Sequence, residues 1–230
     1  PKQSPRRTAR RADGAGRAGQ IIRSTMNRQR PRRPAPPRRR NETPREQELI
    51  ALNKPYGYIC QFSPHEKHRS LKELLPLSGY YPAGRLDTDS EGLLLLTNNG
   101  RLQAEIADPR HKTVKTYWAQ LEGSPDDAKL ALLQQPMDLG DFTTRPAQIR
   151  LPDEHETALL WPRNPPIRER KSVPDFWLEI RISEGKNRQV RRMCAQAGYP
   201  CLRLVRTAIG SLNLFDLGLK PGQWRYCRRP

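Results

Sequence analysis

Cysteine is scarce in this sequence, with four among 230 residues, and no two of them form a C-x-x-C pair. Cys60, Cys194, Cys201 and Cys227 are too few and too scattered for a disulfide framework, which excludes a small secreted domain held together by disulfides. Long apolar runs are also missing, because none approaches the roughly 20 residues of a membrane span and none resembles a secretory signal. We therefore expect a reduced, cytoplasmic protein with no membrane-spanning segment.

Several common catalytic motifs are missing as well. The chain contains no G-x-x-x-x-G-K-[ST], no G-x-G-x-x-G and no G-x-S-x-G, so nucleotide cofactors and serine-esterase chemistry find no support. His65 and His68 have neither nearby cysteines nor the H-E-x-x-H pattern, which argues against a metal site. These absences point away from metal-dependent and nucleotide-dependent enzymes.

Positive charge, by contrast, is abundant, and the formal net charge is +18. Residues 1–40 hold 14 of the 42 Lys and Arg against a single acid, Asp13. Such asymmetry indicates a polyanionic partner, for which RNA, DNA or an anionic membrane would serve. Residues 1–45 are rich in Arg and Pro and hold too few apolar side chains to offset chain entropy, so we predict a disordered basic tail. That tail either contacts RNA or only improves solubility.

The remainder, residues 46–230, alternates short apolar runs with turns and is predicted to form one domain. Strands are predicted at 49–53, 58–62, 93–97, 116–121, 146–151, 157–161, 176–182, 202–209 and 224–227. Helices are predicted at 70–75, 101–107, 126–133 and 187–197. Because strands outnumber helices without regular β-α-β alternation, we expect an α+β fold with a mixed, mostly antiparallel sheet flanked by helices.

The most informative segment is GRLDTDSEGLLLLTNNG, residues 84–100. Arg85 and Asp87 lie two residues apart just before an apolar strand, so in an extended chain both side chains point to one side. An arginine near a carboxylate keeps the acid ionised, which suits a nucleophile or a base. The common role of such an aspartate is a turn or a cap, and a second acid at Asp89 or Glu91 leaves glycosidase chemistry open.

Tyr117 and the predicted helix 187–197 supply further candidate residues. Tyr117, in a predicted strand, is either a core residue or a platform on which a base stacks. Four apolar side chains of the helix are spaced i, i+3, i+4 and i+7, as in a buried stripe: Val190, Met193, Cys194 and Ala197. Arg191 borders that stripe and needs a carboxylate, for which Asp87 is the candidate. Arg188 and Arg192 point away from it, either into solvent or toward RNA.

These segments resemble, in their order and spacing, the motifs of pseudouridine synthases of the ribosomal small-subunit synthase A type. Asn53-Lys54-Pro55-x-Gly57 is similar to the first motif of that family. Arg85-Leu86-Asp87 resembles its catalytic motif, and Gln189-Val190-Arg191 resembles its third motif. The resemblance covers about residues 48–228 and implies the catalytic fold of the family over the predicted domain.

The resemblance also implies a mechanism. A uridine would be flipped out of an RNA and isomerised to pseudouridine, with no metal and no cofactor. Asp87 would be the essential residue, which either attacks C1′ of the ribose or removes the C2′ proton to give a glycal. Tyr117 would stack on the uracil and Leu204 would pack beneath it, while Arg191 would hold Asp87 and Arg85 would hold the RNA backbone.

We expect the remaining contacts with RNA to come from basic side chains around the site and in the loop at 161–172. They are Lys54, Lys115, Arg163, Arg168, Arg170, Lys171, Lys186, Arg188 and Arg192. Many relatives carry an N-terminal S4 RNA-binding domain, whereas only the predicted tail stands there in this sequence. That difference and the loop are similar to family members acting on the large ribosomal subunit, so we predict 23S rRNA as substrate and partner of a monomeric enzyme. The alternatives are the same chemistry on small-subunit rRNA and a non-catalytic rRNA-binding or ribosome-assembly factor.

Overall fold

The computed structural model describes residues 48–167 and 172–230, all of which fall in one compact unit. The predicted tail, residues 1–45, lies outside the described residues. The strands in the described part are β1 Leu49–Lys54, β2 Tyr58–Ile59, β3 Arg69–Ser70, β4 Tyr81–Pro82, β5 Glu91–Thr97, β6 Lys115–Glu122, β7 Gln148–Arg150, β8 Asp175–Ile182, β9 Cys201–Ile209, β10 Leu212–Asn213 and β11 Trp224–Tyr226. The α-helices there are α1 Gly100–Ala107, α2 Asp127–Leu133, α3 Glu154–Thr157 and α4 Gln189–Gln196, with 3-10 helices at Leu71–Glu73 and Pro109–His111.

Nine of these strands form one sheet in the order β11-β1-β5-β9-β6-β8-β7, with β4 added to β5 and β10 added to β9. Only the β5–β9 pair of this sheet is parallel, and the other pairs are antiparallel. Strands β2 and β3 form a separate parallel pair. The predicted α+β class with a mixed, mostly antiparallel sheet is confirmed.

Apolar side chains cover both faces of the central strand β5. Leu94 and Leu96 belong to one buried cluster, whereas Leu93 and Leu95 belong to the cluster on the opposite face. A strand buried on both faces has no polar side to alternate with, which explains its continuous run of leucines. The core therefore fixes β5 in the middle of the fold, directly after the loop that carries Asp87.

The junction of β5 with β9 depends on a glycine. Gly92 pairs with Arg206 across the parallel ladder and has a φ of +101°. A Cβ atom on Gly92 would lie 2.3 Å from the carbonyl oxygen of Arg206 and 2.9 Å from its amide nitrogen. Only glycine permits both this backbone conformation and this close approach.

Helix ends follow the capping signals of the sequence. The Asn99 side chain accepts hydrogen bonds from the amides of Arg101 and Leu102, and the Asp126 side chain accepts one from Lys129. The four predicted stripe residues are all buried, three of them within α4 and Ala197 at its C-cap. None of the helices in the described part is long and apolar enough to cross a bilayer.

The prediction of a strand at 157–161 is wrong. The short helix α3 occupies Glu154–Thr157 instead, and its start is fixed by a reciprocal capping box. The Glu156 amide donates to the Asp153 carboxylate, while the Asp153 amide donates to the Glu156 carboxylate. These four hydrogen-bonding groups outweigh the apolar residues that follow. Several other elements are shorter than predicted: the strand at 58–62 ends at Ile59, the strand at 146–151 is reduced to Gln148–Arg150, the helix at 187–197 covers Gln189–Gln196, and the helix at 70–75 is a single 3-10 turn.

Candidate active site

A cavity of about 210 Å³ opens beside the loop that precedes β5. It is larger than the ~150 Å³ engineered cavity that accepts benzene, so one pyrimidine ring has room in it. Its walls come from that loop, from β6 and β9, and from the end of β8 and the start of α4. Seven of the predicted site residues line it: Arg85, Asp87, Lys115, Tyr117, Lys186, Arg188 and Leu204.

Asp87 lies where this cavity meets a second cleft on the other side of the same loop. Its carboxylate is 3.6 Å from Nη1 of Arg188 and accepts no hydrogen bond from the residues described. The loop is held from behind by Leu86, whose amide donates to Sγ of Cys60 at 3.3 Å. Leu86 is buried while Arg85 is exposed, the alternation that an extended segment predicts. Asp87 is thus fixed in place with its oxygen lone pairs free for a substrate.

The prediction that Arg191 pairs with Asp87 is wrong, because Arg191 is bound to Asp89. Its Nη2 donates to the backbone carbonyl of Asp89 at 2.8 Å, and its Nε lies 3.4 Å from the Asp89 carboxylate. A third nitrogen, Nη1, donates to the carbonyl of Cys201. Its two terminal nitrogens are thus hydrogen-bonded and its Nε faces Asp89, so Arg191 positions the turn after Asp87 and forms no ion pair with the Asp87 carboxylate.

Arg188 fills the place that the sequence assigned to Arg191. Its two terminal nitrogens donate to both carboxylate oxygens of Asp89, at 3.0 and 2.9 Å, and it is the cation that faces Asp87. Burial opposes the charge of Asp89, but the hydrogen bond from Arg188 and the charge of Arg191 outweigh it, so the pKa of Asp89 is lowered. Arg188 has a left-handed backbone with φ of +47°, a conformation that costs roughly 1–2 kcal/mol. The fold thus maintains local strain where this arginine meets the two aspartates.

Tyr117 and Leu204 form the apolar part of the cavity. Both are buried, with 8% and 4% of their surfaces exposed, and both belong to the main core cluster. The register of β6 on β9 shifts between Thr116 and Tyr117, so that Tyr117 lies opposite Arg206. Such irregularities re-aim side chains next to functional sites. Tyr117 is therefore a core residue that also presents a surface to the cavity.

Lys54 is fully buried, which argues against its predicted contact with RNA. Its Nζ donates to the carbonyls of Ser90 at 2.7 Å and Pro55 at 3.0 Å, which ties the end of β1 to the loop before β5. Burial lowers the pKa of Lys54 to about 8. Its role in the structure is to brace the loop that carries Asp87.

The other predicted RNA-binding residues lie in different settings. Lys115 is buried in the wall of the cavity, while Lys186 is exposed at its rim. Arg192 is held by the carboxylate of Asp141 at 2.5 Å, and Arg163 donates to two carbonyls of its own loop. Three of the predicted residues lie outside the described ones: Arg168, Arg170 and Lys171.

Two charged residues of the core have roles that the sequence pattern did not reveal. Arg206 is only 3% exposed, and its Nε donates to the carbonyl of Leu93 at 2.8 Å. An arginine within the apolar run of β9 was the available signal. Glu91, a candidate second acid, is instead bound by Arg203 at 2.7 Å and by the indole of Trp161 at 2.9 Å. Glu91 is therefore a structural residue, which weakens the glycosidase alternative.

A carboxylate without hydrogen-bond partners among the described residues, beside a ring-sized cavity with basic walls, suits an enzyme that acts on one base of a nucleic acid. Residues 48–196 match the RNA pseudouridylate synthase family, and the chain belongs to that family. The predicted family and the predicted class of enzyme are confirmed.

Relatives with assigned names support the same placement. The chain is 54% identical over 179 residues to "Ribosomal large subunit pseudouridine synthase E" of Xanthomonas campestris pv. campestris, covering 77% of this chain and 94% of that protein. It is 46% identical over 185 residues to the protein of the same name from Vibrio vulnificus, covering 80% and 77%. A crystal structure of a pseudouridylate synthase superposes with a TM-score of 0.63 at 28% identity, covering 77% of this chain and 69% of the other. The predicted catalytic fold is confirmed.

Proposed function

We propose that this enzyme converts a uridine of 23S rRNA to pseudouridine, with Asp87 as the essential catalytic residue. The large-subunit assignment rests on relatives of that name at 46–54% identity. A relative named "Ribosomal small subunit pseudouridine synthase A", from Vibrio vulnificus, is 33% identical. The assignment of Asp87 rests on one observation, the position of its free carboxylate at the mouth of the cavity.

In the proposed reaction a flipped uridine enters the cavity with its ribose at the mouth. Flipping costs a few kcal/mol, which stacking on an aromatic ring offsets by roughly 1–3 kcal/mol. Tyr117 supplies the ring and Leu204 the opposing apolar surface. Asp87 then attacks C1′ or removes the C2′ proton, the C1′–N1 bond breaks, and the uracil turns and rejoins through C5. None of these reaction steps requires a metal or a cofactor.

Each of the three arginines around Asp87 has a different role. Arg188, with Nη1 3.6 Å from the Asp87 carboxylate, faces that group with a positive charge and orients it toward the cavity. Arg191 acts on Asp87 only indirectly, because it holds Asp89 in place, and Asp89 in turn holds Arg188. Arg85 is exposed, and its guanidinium has no partner among the residues described, so it is free to bind a phosphate of the flipped nucleotide.

The proposal is tested with RNA carrying tritium at C5 of uracil, because forming the C5–C1′ bond releases that tritium. We expect release from 23S transcript by the wild type and none above background by Asp87→Asn, which keeps its affinity for RNA. Asp216→Asn, the same substitution at an exposed residue, is the matched control and should match the wild type. Full release by Asp87→Asn would remove this residue from the chemistry.

The alternative targets are tested by the same assay. Release from 16S but not 23S transcript would move the substrate to the small subunit. No release from 23S, 16S or partly assembled particles would favour the non-catalytic assembly factor. The cytoplasmic location and the monomeric state remain predictions, and sedimentation of the purified protein checks the second.

A further inference from the structure

Three buried donor groups around the cavity have no hydrogen-bond partner among the described residues. They are Oγ of Ser90, Nζ of Lys115 and Nη2 of Arg206. All three residues line the cavity and are 1%, 6% and 3% exposed. A buried polar group without a partner is costly and rare in folded proteins. Three of them around one cavity indicate a bound molecule that presents acceptors.

Two of these groups carry a positive charge that nearby acids do not neutralise. Asp89 is occupied by Arg188 and Arg191, and neither Lys115 nor Arg206 forms an ion pair with any described residue. Burial, reinforced by the charge of Arg206, lowers the pKa of Lys115. An uncompensated pair of buried cations destabilises the folded state, and an anion in the cavity would remove that penalty.

The proposed reaction creates such an anion. When the C1′–N1 bond breaks, its electron pair stays with the uracil and spreads from N1 onto the carbonyl oxygens O2 and O4. We propose that Lys115 and Arg206 are catalytic residues that donate to these oxygens and stabilise the detached uracil anion. This inference rests on the proposed function, and it adds residues that act on the leaving base to those that act on the ribose.

The electron and proton balance is the same for both routes of Asp87. The uracil anion turns while the two cations hold it in the cavity, and its C5 then bonds to C1′. That step displaces the Asp87 carboxylate in one route and returns a proton to C2′ in the other. The C5 proton leaves and N1 gains one, so the charge on the base appears and disappears within one turnover. Fixed cations in a water-excluded site stabilise such transient charge strongly.

Lys115→Met tests the proposal, because methionine keeps most of the side-chain volume and removes the charge. We expect kcat for tritium release to fall by about 10²- to 10³-fold, the loss seen when one oxyanion donor is removed. The melting temperature should stay the same or rise, because a buried unpaired charge is lost. Lys129→Met, the same change on the exposed surface of α2, is the matched control. Lys115→Arg, which retains a cation, should restore part of the rate if it folds.

A second substrate separates charge stabilisation from a merely structural role. RNA with 5-fluorouridine at the target releases a more acidic base, whose anion needs less stabilisation. The rate of C1′–N1 cleavage in a single turnover should therefore be reduced less by Lys115→Met on this RNA than on uridine RNA. An equal loss on both substrates, or wild-type kcat in Lys115→Met, would overturn the inference. A wild type inactive on every RNA would instead refute the proposed function.

Discussion

Asp87 and Asp89 carry the same functional group two residues apart, yet the structure uses them in opposite ways. The Asp89 carboxylate is bound by both terminal nitrogens of Arg188, whereas the Asp87 carboxylate accepts no hydrogen bond from the described residues. A carboxylate that accepts two charge-assisted hydrogen bonds is fixed in position with its partner. A carboxylate that accepts none keeps its lone pairs available for a substrate. The division of roles follows from partners that lie about 100 residues away in the chain.

Asp89→Asn should therefore lower activity without removing the reactive carboxylate. The neutral side chain loses its charge-assisted interactions with Arg188 and Arg191, so the cation facing Asp87 loses its anchor. We expect kcat to fall roughly 10²-fold, as for about 1 Å of misplacement. Wild-type tritium release by the variant would contradict the role of Asp89.

The same variant should change the response to acid. The pKa of Asp89 is lowered in the folded state, so the stability that its charge contributes is present above the unfolded pKa of ~3.9 and is lost as pH falls through the folded value. The wild type should lose more stability than Asp89→Asn between about pH 5 and pH 2. Urea unfolding at a series of pH values measures the difference.

Lys54→Met tests whether a buried lysine braces the site without touching RNA. The substitution frees the carbonyls of Ser90 and Pro55, so we expect lower kcat, while the slope of log K against log salt stays unchanged. Lys186→Met, at the exposed rim, should reduce that slope by about 0.7 if it removes one phosphate contact. Filter binding over a range of KCl concentrations gives both slopes, and a reduced slope for Lys54→Met would mean that this ammonium reaches RNA.

Lys54 should also leave a signature at alkaline pH. The pKa of Lys54 is about 8 in the folded state and ~10.4 in the unfolded chain. Between these two pH values the unfolded chain binds more protons than the folded protein, so the free energy of unfolding rises with pH. The wild type should gain stability relative to Lys54→Met from pH 8 to 10. If the free energies of unfolding of the two proteins differed by the same amount from pH 8 to 10, the lowered pKa of Lys54 would be contradicted.

The resemblance to a known family grouped Asp87, Tyr117 and Leu204 into one site, and all three line one cavity in the structure. The sequence was not sufficient to choose between Arg188 and Arg191 as the partner of Asp87. Helical spacing shows which face a side chain occupies, but it does not show which of two neighbouring carboxylates it reaches. The burial of Lys54 was hidden for a similar reason, since charge alone predicts exposure.

Strands and helices differ in how well the sequence predicted them. The long strands β1, β5, β6, β8 and β9 were predicted within two residues at each end, because each combines an apolar run with turn residues on both sides. The strand predicted at 157–161 failed because a local capping box, formed by Asp153 and Glu156, stabilises a helical turn just before it. Pairing partners could not be predicted, since β5 joins a strand more than 100 residues further along.

Gly92→Ala should show how much the β5–β9 junction matters. The added Cβ would meet the Arg206 backbone at 2.3 Å, and the φ of +101° is unfavourable for alanine. We expect the free energy of unfolding to fall by roughly 2–5 kcal/mol. Gly100→Ala is the matched control, because nothing lies within 4 Å of its Cβ position and alanine favours the helix by up to about 1 kcal/mol. Equal stability of the two variants, from urea unfolding, would contradict the close approach of β5 and β9.

Charge is distributed unevenly over the whole molecule, and 14 of its 42 Lys and Arg stand in residues 1–40. Deleting residues 1–45 should weaken binding to rRNA and flatten its salt dependence, by about 0.7 in the slope for each phosphate of single-stranded RNA that is no longer neutralised. A chain with the same 45 residues in shuffled order is the control and should keep the slope if charge alone matters. An unchanged slope after deletion would leave the tail with a role in solubility only.

The parallel pairing of β5 with β9 also determines when the enzyme becomes competent during its own synthesis. The loop with Asp87 emerges from the ribosome early, but the strand that supplies Leu204 and Arg206 is made more than 100 residues later. Strands that are so far apart in the chain pair slowly, because the entropy of closing a long loop is lost before the stabilising contacts form. A partly synthesised chain therefore carries Asp87 without a cavity beside it, and we expect activity only after β9 has paired with β5.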